Sequence, residues 1–190
     1  RQPDGSGTTW RGTIHRASIP DTLALEPSKR VRTETANDDT GPFALHVTTQ
    51  RGDNPRFRVG EVMRFGIRVA RDAHLYCYYR DAQGEITPVM PNPYATRLRL
   101  GGGEFYYLPD EDAPYAFFAT APVGSELLKC FATDKDLAGQ LPPGLKAGGT
   151  LAKRPDGWLS DVFRRFEDIR LSEASLVIHV HSDAKGERQP

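Results

Sequence analysis

The fold is decided by "AHLYCYYRDAQGEITPVM", residues 73–90. Its first eight residues are rich in aromatics that suit a pleated surface. "DAQG" at 81–84 fits a type I turn closed by a glycine able to take positive φ, and "EITPVM" returns as the partner strand. The stretch therefore reads as a β-hairpin. Alternation puts Leu75, Cys77 and Tyr79 on one side of its first strand and His74, Tyr76 and Tyr78 on the other.

The same two-residue period extends in both directions. In "FALHVTT" (43–49) the apolar set is Phe43, Leu45 and Val47; in "VMRFGIRVA" (62–70) it is Met63, Phe65, Ile67 and Val69, set against Arg64, Gly66 and Arg68. Clean alternation marks strands with one wet face. "RGDNP" (51–55) joins the two as a turn, and "VGE" (59–61) supplies a tight bend. "PNPY" (91–94) interrupts pairing, because neither proline can donate to a ladder. "ATRLRL" and "EFYYLP" then flank "GGG" (101–103) as a second hairpin. "YAFFAT" (115–120) and "ELLKCFAT" (126–133) follow, and in the latter Leu128, Cys130 and Ala132 share the inward face.

A Pro/Gly loop (139–157) leads into "WLSDVFRRFEDIR", where Trp158, Leu159, Val162, Phe163, Phe166 and Ile169 recur at helical spacing. The pattern predicts one amphipathic helix over 157–170, with Asp156 or Ser160 capping its start. "SLVIHVHSD" (175–183) is the closing strand, with Leu176, Ile178 and Val180 alternating with Val177, His179 and His181.

The expected architecture is mainly β: an antiparallel, immunoglobulin-like β-sandwich with one C-terminal helix and a closing strand. A partly open barrel is the alternative. Residues 1–41 read as a polar tail or linker, on which Trp10 and "TLAL" (22–25) are the segments able to dock; 42–183 form a single domain, and 184–190 a polar tail.

Charge narrows the function classes. Lys+Arg and Asp+Glu are both 25, balanced six to six over residues 1–40, twelve to twelve over 41–150 and seven to seven over 151–190. A nucleic-acid partner is not expected, because nothing here forms the broad basic excess that displaces counterions from phosphates. No apolar run approaches the roughly 20 residues that span a bilayer, so no membrane span is expected in this chain. No targeting segment is read in the chain as given.

The middle of the chain resembles a bacterial family of uncharacterised domains, domain of unknown function forty-three eighty-four. The resemblance runs over about 57–133 and is carried by Val59-Gly60-Glu61, Leu75 to Tyr79, Asp81 to Gly84, Pro91-Asn92, Gly102-Gly103 to Pro109, and the Pro122-x-Gly124-x-Glu126 pattern. It implies an accessory domain of larger envelope-associated proteins, found beside caspase-like peptidases, kinases, surface anchors or secretion components, and not itself an enzyme.

Candidate chemistry is sparse. His179 and His181 project from one face of a strand and, with Asp183, offer N/N/O donors for a metal; the plainer reading is a polar face of an edge strand. Cys77 and Cys130 both sit at inward positions, which a sandwich can bring within bridging distance; the alternative is two packed thiols in a reducing compartment. Outward Tyr76 and Tyr78, with Tyr106 and Tyr94, make a candidate aromatic surface for sugar or peptide, or else lie under the helix. "GGGE" (101–104) lacks the lysine of a phosphate loop, and "PDEDAP" (109–114) lacks the alternating spacing of a calcium loop. No catalytic or cofactor-binding residue is assigned, and no cofactor is expected.

These readings lead to a non-catalytic domain of a periplasmic or envelope protein that binds another protein, with a cytoplasmic location as the alternative. A glycan- or small-ligand-binding module using the tyrosines is the second expectation, and a metal-dependent enzyme through His179 and His181 the third.

Overall fold

A computed structural model of the chain describes residues 36–95 and 99–182. The elements in chain order are β1 (His46–Thr49), β2 (Arg56–Arg58), β3 (Val62–Met63), β4 (Phe65–Arg68), β5 (Ala73–Arg80), β6 (Ile86–Met90), β7 (Arg99–Leu100), β8 (Phe105–Leu108), β9 (Phe117–Phe118), β10 (Gly124–Thr133), α1 (Trp158–Phe163) and β11 (Leu171–His181). The fold is mainly β, and no sheet closes into a barrel among the described residues.

The largest sheet has the order β2-β11-β10-β5-β6, with β7 also on β5. Its centre is the hairpin expected from the sequence. Asp81 makes the turn: its carboxylate accepts from the Gln83 and Glu85 amides, and Gly84 takes φ 87°. A second sheet runs β1-β4-β8, and β3 and β9 form a short ribbon. All pairings are antiparallel except β2 with β11, which is parallel.

The six-stranded sheet is buried on both faces. Tyr79 of β5 meets Phe65 of β4 at 6.0 Å between ring centroids, which sets one face against the three-stranded sheet. On the opposite face Phe163 of α1 lies 5.5 Å from Tyr76, 5.9 Å from Tyr78 and stacked at 4.0 Å on Phe131. The structure is a sandwich with a helix laid over one outer face.

Several sequence expectations change in detail. The helix occupies only Trp158–Phe163, not 157–170. Neither Asp156 nor Ser160 caps it: Gly157 holds the N-cap at φ 90°, Asp156 pairs with Arg80, and Ser160 is buried. After Arg164 the chain tightens into turns, and Asp168 at φ 55° reverses it so that the Arg170 amide reaches Asp134. Phe166 and Ile169 still pack on the core, so turns satisfy an apolar spacing that a helix would also satisfy.

Among the described residues, the strands on the two sides of "GGG" are not paired with each other, and residues 96–98 of the expected hairpin lie outside the described residues. β7 pairs with β5 and β8 with β4, so the chain changes sheet at the glycines. A Cβ on Gly102 would stand 2.5 Å from Arg71 Cα, which shows how close the two backbones come there. β2 breaks the expected link between β1 and β4 by joining the larger sheet. Residues 36–38, grouped by sequence with the tail, belong to the fold: Ala36 bridges to Ser175 and Asp38 to Leu45. Trp10, "TLAL" and Asp183 lie outside the described residues.

Candidate functional site

Among the described residues β8 ends its sheet, and its side chains alternate between two environments. Phe105 and Tyr107 point outward, 45% and 43% exposed, with their rings edge to face at 4.9 Å. Gly66 on β4 leaves the space that the Phe105 ring occupies, and the Arg64 guanidinium lies 4.8 Å from the Tyr107 ring centre. Tyr106 turns the other way. Its hydroxyl donates to Glu104 at 2.6 Å and accepts from the Gly101 amide at 2.9 Å, which fixes the ring beside the glycine turn.

The side of β8 away from β4 borders a cleft of about 870 Å³. All four β8 residues line it. Tyr94 and Arg99 form part of the opposite wall, and Ile67, Leu75 and Met90 contribute apolar floor. The volume lies in the range of small-ligand and peptide pockets. Tyr94 is held by the turn before it. Asn92, buried after the cis Pro91, accepts the Tyr94 and Ala95 amides and donates to the Val89 carbonyl, and the Tyr94 ring stacks on Tyr115 at 5.3 Å. Acidic groups gather at the rim: Glu104, Asp110 and Glu111, the last 4.0 Å from Arg64.

Of the four tyrosines proposed as a surface, Tyr94 and Tyr106 reach this cleft and Tyr76 and Tyr78 do not. Both of the latter are fully buried under α1, so the outward face read from alternation is covered by the helix rather than by solvent. The Tyr76 hydroxyl donates to Asp136 at 3.0 Å and accepts from the Leu137 amide at 2.6 Å; that of Tyr78 donates to the Leu145 carbonyl at 3.3 Å. Burial pushes both phenols well above their ordinary pKa.

Cys77 and Cys130 form a disulfide, and neither sulfur is a free thiol. The bond joins directly opposed residues of neighbouring strands, with Cα atoms 4.1 Å apart, within one sheet rather than between two layers.

His179 and His181 share one face of β11, and Arg56 and Arg58 of β2 stand directly beside them in register. Two guanidinium groups flanking two imidazoles disfavour a divalent cation. The ring of His179 meets Ser125 Oγ at 3.3 Å through Nδ1. Among the described residues no group of three or more metal-ligating side chains is found.

Two polar clusters escaped the sequence reading. Tyr79 donates a hydrogen bond to Glu126, which is 4% exposed, with Met63 Sδ 3.7 Å from the same hydroxyl. Burial pushes the Glu126 carboxyl up to about 7, and Asp81 adds to the rise, while the Tyr79 hydrogen bond and the Ala82 amide act against it. The phase that puts Cys130 inward also puts Glu126 inward, and that was the available signal. On the α1 side, Lys129 donates to Ser175 Oγ at 2.9 Å and pairs with Glu173 at 3.4 Å, and Glu173 also takes Arg164. Arg164 pairs with Glu173 and Arg170 with Asp134.

Residues 56–136 match the family model described as Domain of unknown function (DUF4384). The DUF4384 segment runs from β2 through β10, so the cleft, the disulfide and the Tyr79–Glu126 pair all lie inside it. α1 and β11 lie beyond it. No curated protein and no solved structure matches the chain.

Proposed function

We propose that this chain is a non-catalytic interaction domain of a bacterial envelope protein, and that its cleft along β8 receives an extended segment of another protein. The observation that carries this reading is the coincidence of two exposed aromatics, Phe105 and Tyr107, with an apolar-floored cleft along β8. Aromatics beside an apolar cleft supply contact area to an extended segment at low entropic cost. Among the described residues, the edges of β6, β1 and β2 are partly engaged. Leu151 bridges Ile86 on β6, Asn37 binds the Val47 amide on β1, and on β2 Arg51 takes the Arg56 carbonyl while Glu61 takes the Arg58 amide. The disulfide supports an oxidising compartment, which is consistent with export.

A photo-crosslinking amino acid at Phe105 or Tyr107, in cells producing the parent protein, tests the reading. A discrete protein adduct at these positions, absent when the same group stands at Val123, supports it; no adduct at either β8 position removes it.

A second reading, a glycan or small-ligand module, is favoured by one observation: Tyr94, stacked on Tyr115, and Tyr106 both face the cleft. Titration with cell-wall fragments followed by tyrosine fluorescence separates the two. Saturable quenching lost in Tyr94→Ala would put the glycan reading first, and a flat titration would end it.

A further inference from the structure

On the face that α1 covers, the six-stranded sheet brings two cations to one small recess. Lys129 of β10 is directly opposed to Ser175 of β11; two residues earlier, Leu127 is opposed to Arg80 of β5, which in turn faces Ile86 of β6. Lys129 and Arg80 thus hold diagonal positions on neighbouring strands, about 7–8 Å apart. Pro155, Leu159 and Ser160 close the space above them and leave about 30 Å³, room for about two atoms of water size. The polar side chains around it are Arg80, Lys129, Ser160 and Ser175, and among the described residues no carboxylate lines it. Both serines are buried, and the Lys129 and Arg80 side chains are only 13% and 19% exposed.

Each cation has a partner, and each partner stands outside the recess. Glu173, 3.4 Å from Lys129 Nζ, is opposed to Phe131, one strand period beyond Lys129 on the side away from Arg80. Asp156 takes Nη1 of Arg80 and is 57% exposed, so that pair marks the solvent side. Neither pairing exhausts the donors, because an ammonium has three N–H groups and a guanidinium five. Lys129 directs two at Glu173 and Ser175 Oγ, and among the described residues the Arg80 side chain bonds Asp156 through Nη1 alone. The Ser175 hydroxyl accepts from Lys129 and keeps its own proton for a further acceptor. Two like charges withdrawn from solvent on either side of a gap repel each other, and one anion between them turns that repulsion into two attractions. Burial also pulls the Lys129 amine below its ordinary pKa, which an adjacent anion counters. Size and lining choose the anion. The two oxygens of a carboxylate match the space, whereas the four of phosphate exceed it. Ile86, Leu127, Leu159 and Pro155 offer an apolar wall to an aliphatic chain, which chloride lacks. We propose that the Arg80–Lys129 recess binds the carboxylate group of an aliphatic acid, supplied by a free short-chain acid or by the C-terminal end of a protein chain. The recess lies on the α1 side of the six-stranded sheet and does not depend on the reading of the β8 cleft.

An amide NMR titration of the full chain with sodium propionate tests this. Propionate should give saturable shifts centred on Arg80, Lys129, Ser160 and Ser175 at millimolar concentration. Sodium chloride at the same ionic strength should not. Lys129→Gln should weaken binding about tenfold or more, with thermal unfolding compared to confirm a folded chain. If that variant does not fold, Arg80→Gln, nearer the solvent, should still weaken it. A trialanine peptide with a free C-terminus, set against the same peptide amidated, separates the two sources. Tighter binding of the free-acid peptide than of propionate assigns the recess to a chain end, and weaker binding assigns it to a free acid. Equal shifts from chloride, from phosphate or from the amidated peptide, unchanged affinity in the variants, or no saturable shift at these residues would each overturn the assignment.

Discussion

Glu126 accepts a hydrogen bond from the Tyr79 hydroxyl inside the sandwich, on the same two strands that the Cys77–Cys130 disulfide joins. A carboxyl in that position is more at ease protonated. Folding raises its pKa from an ordinary 4.5 to about 7. A carboxyl raised in this way contributes its full stabilisation below pH 4.5 and loses it as pH climbs through 7. The difference from this group is about 3 kcal/mol. Glu126→Gln should remove that slope, so the stability gap between the two proteins should change between acid and neutral pH in urea titrations. Parallel profiles would contradict the assignment. The depressed carboxyls Asp72, Asp134, Asp136 and Glu173 act oppositely, losing stability as pH falls below the ordinary carboxylate range.

The Cys77–Cys130 bond closes 53 residues of chain. In the chain-entropy account such a link stabilises by about 4 kcal/mol. The Cys77→Ala/Cys130→Ala protein should unfold at clearly lower urea concentration. Both sulfurs are fully buried, so reduction of the native protein should be slow until it opens. A thiol count on folded and on denatured protein, with and without reductant, checks both points.

Phe163 is fully buried and stacks on Phe131. Phe163→Ala should cost about 3–5 kcal/mol, because it removes the ring that covers Tyr76 and Tyr78. Tyr107→Ala, on the exposed face of β8, should change stability by only about 0.5 kcal/mol. Equilibrium unfolding of the pair distinguishes a covering layer from a loosely laid helix.

At Gly102 an added methyl would press on the Arg71 backbone, 2.5 Å from its Cα and 2.8 Å from the Ala70 carbonyl oxygen. Gly102→Ala should destabilise by about 1–3 kcal/mol. Gly139→Ala, where a methyl meets nothing within 4 Å, serves as the control.

Much of this fold was legible because its strands repeat every two residues. The 73–90 hairpin, the inward cysteines and the closing strand follow from that rhythm alone. What was not legible has a physical reason in each case. Tyr76 and Tyr78 alternate like wet-face residues, but a six-residue helix far along the chain dries that face. The helix was overestimated because Phe166 and Ile169 keep helical spacing through a run of turns. β2 is three residues long, too short for any periodicity to register. The cleft was half visible: Tyr94 and Tyr106 could be named, but its shape depends on β7 and β8 parting to different sheets at the glycines.

β11 sits between β2 and β10, and among the described residues β2 has no other neighbour in its sheet. A polypeptide cut at residue 136 would keep β2 and β10 but lose the strand that joins them, leaving a vacant slot one strand wide. The smallest autonomous piece of this protein therefore extends to His181, and excision at the boundary of the matched segment should yield material that aggregates or borrows a strand from another molecule.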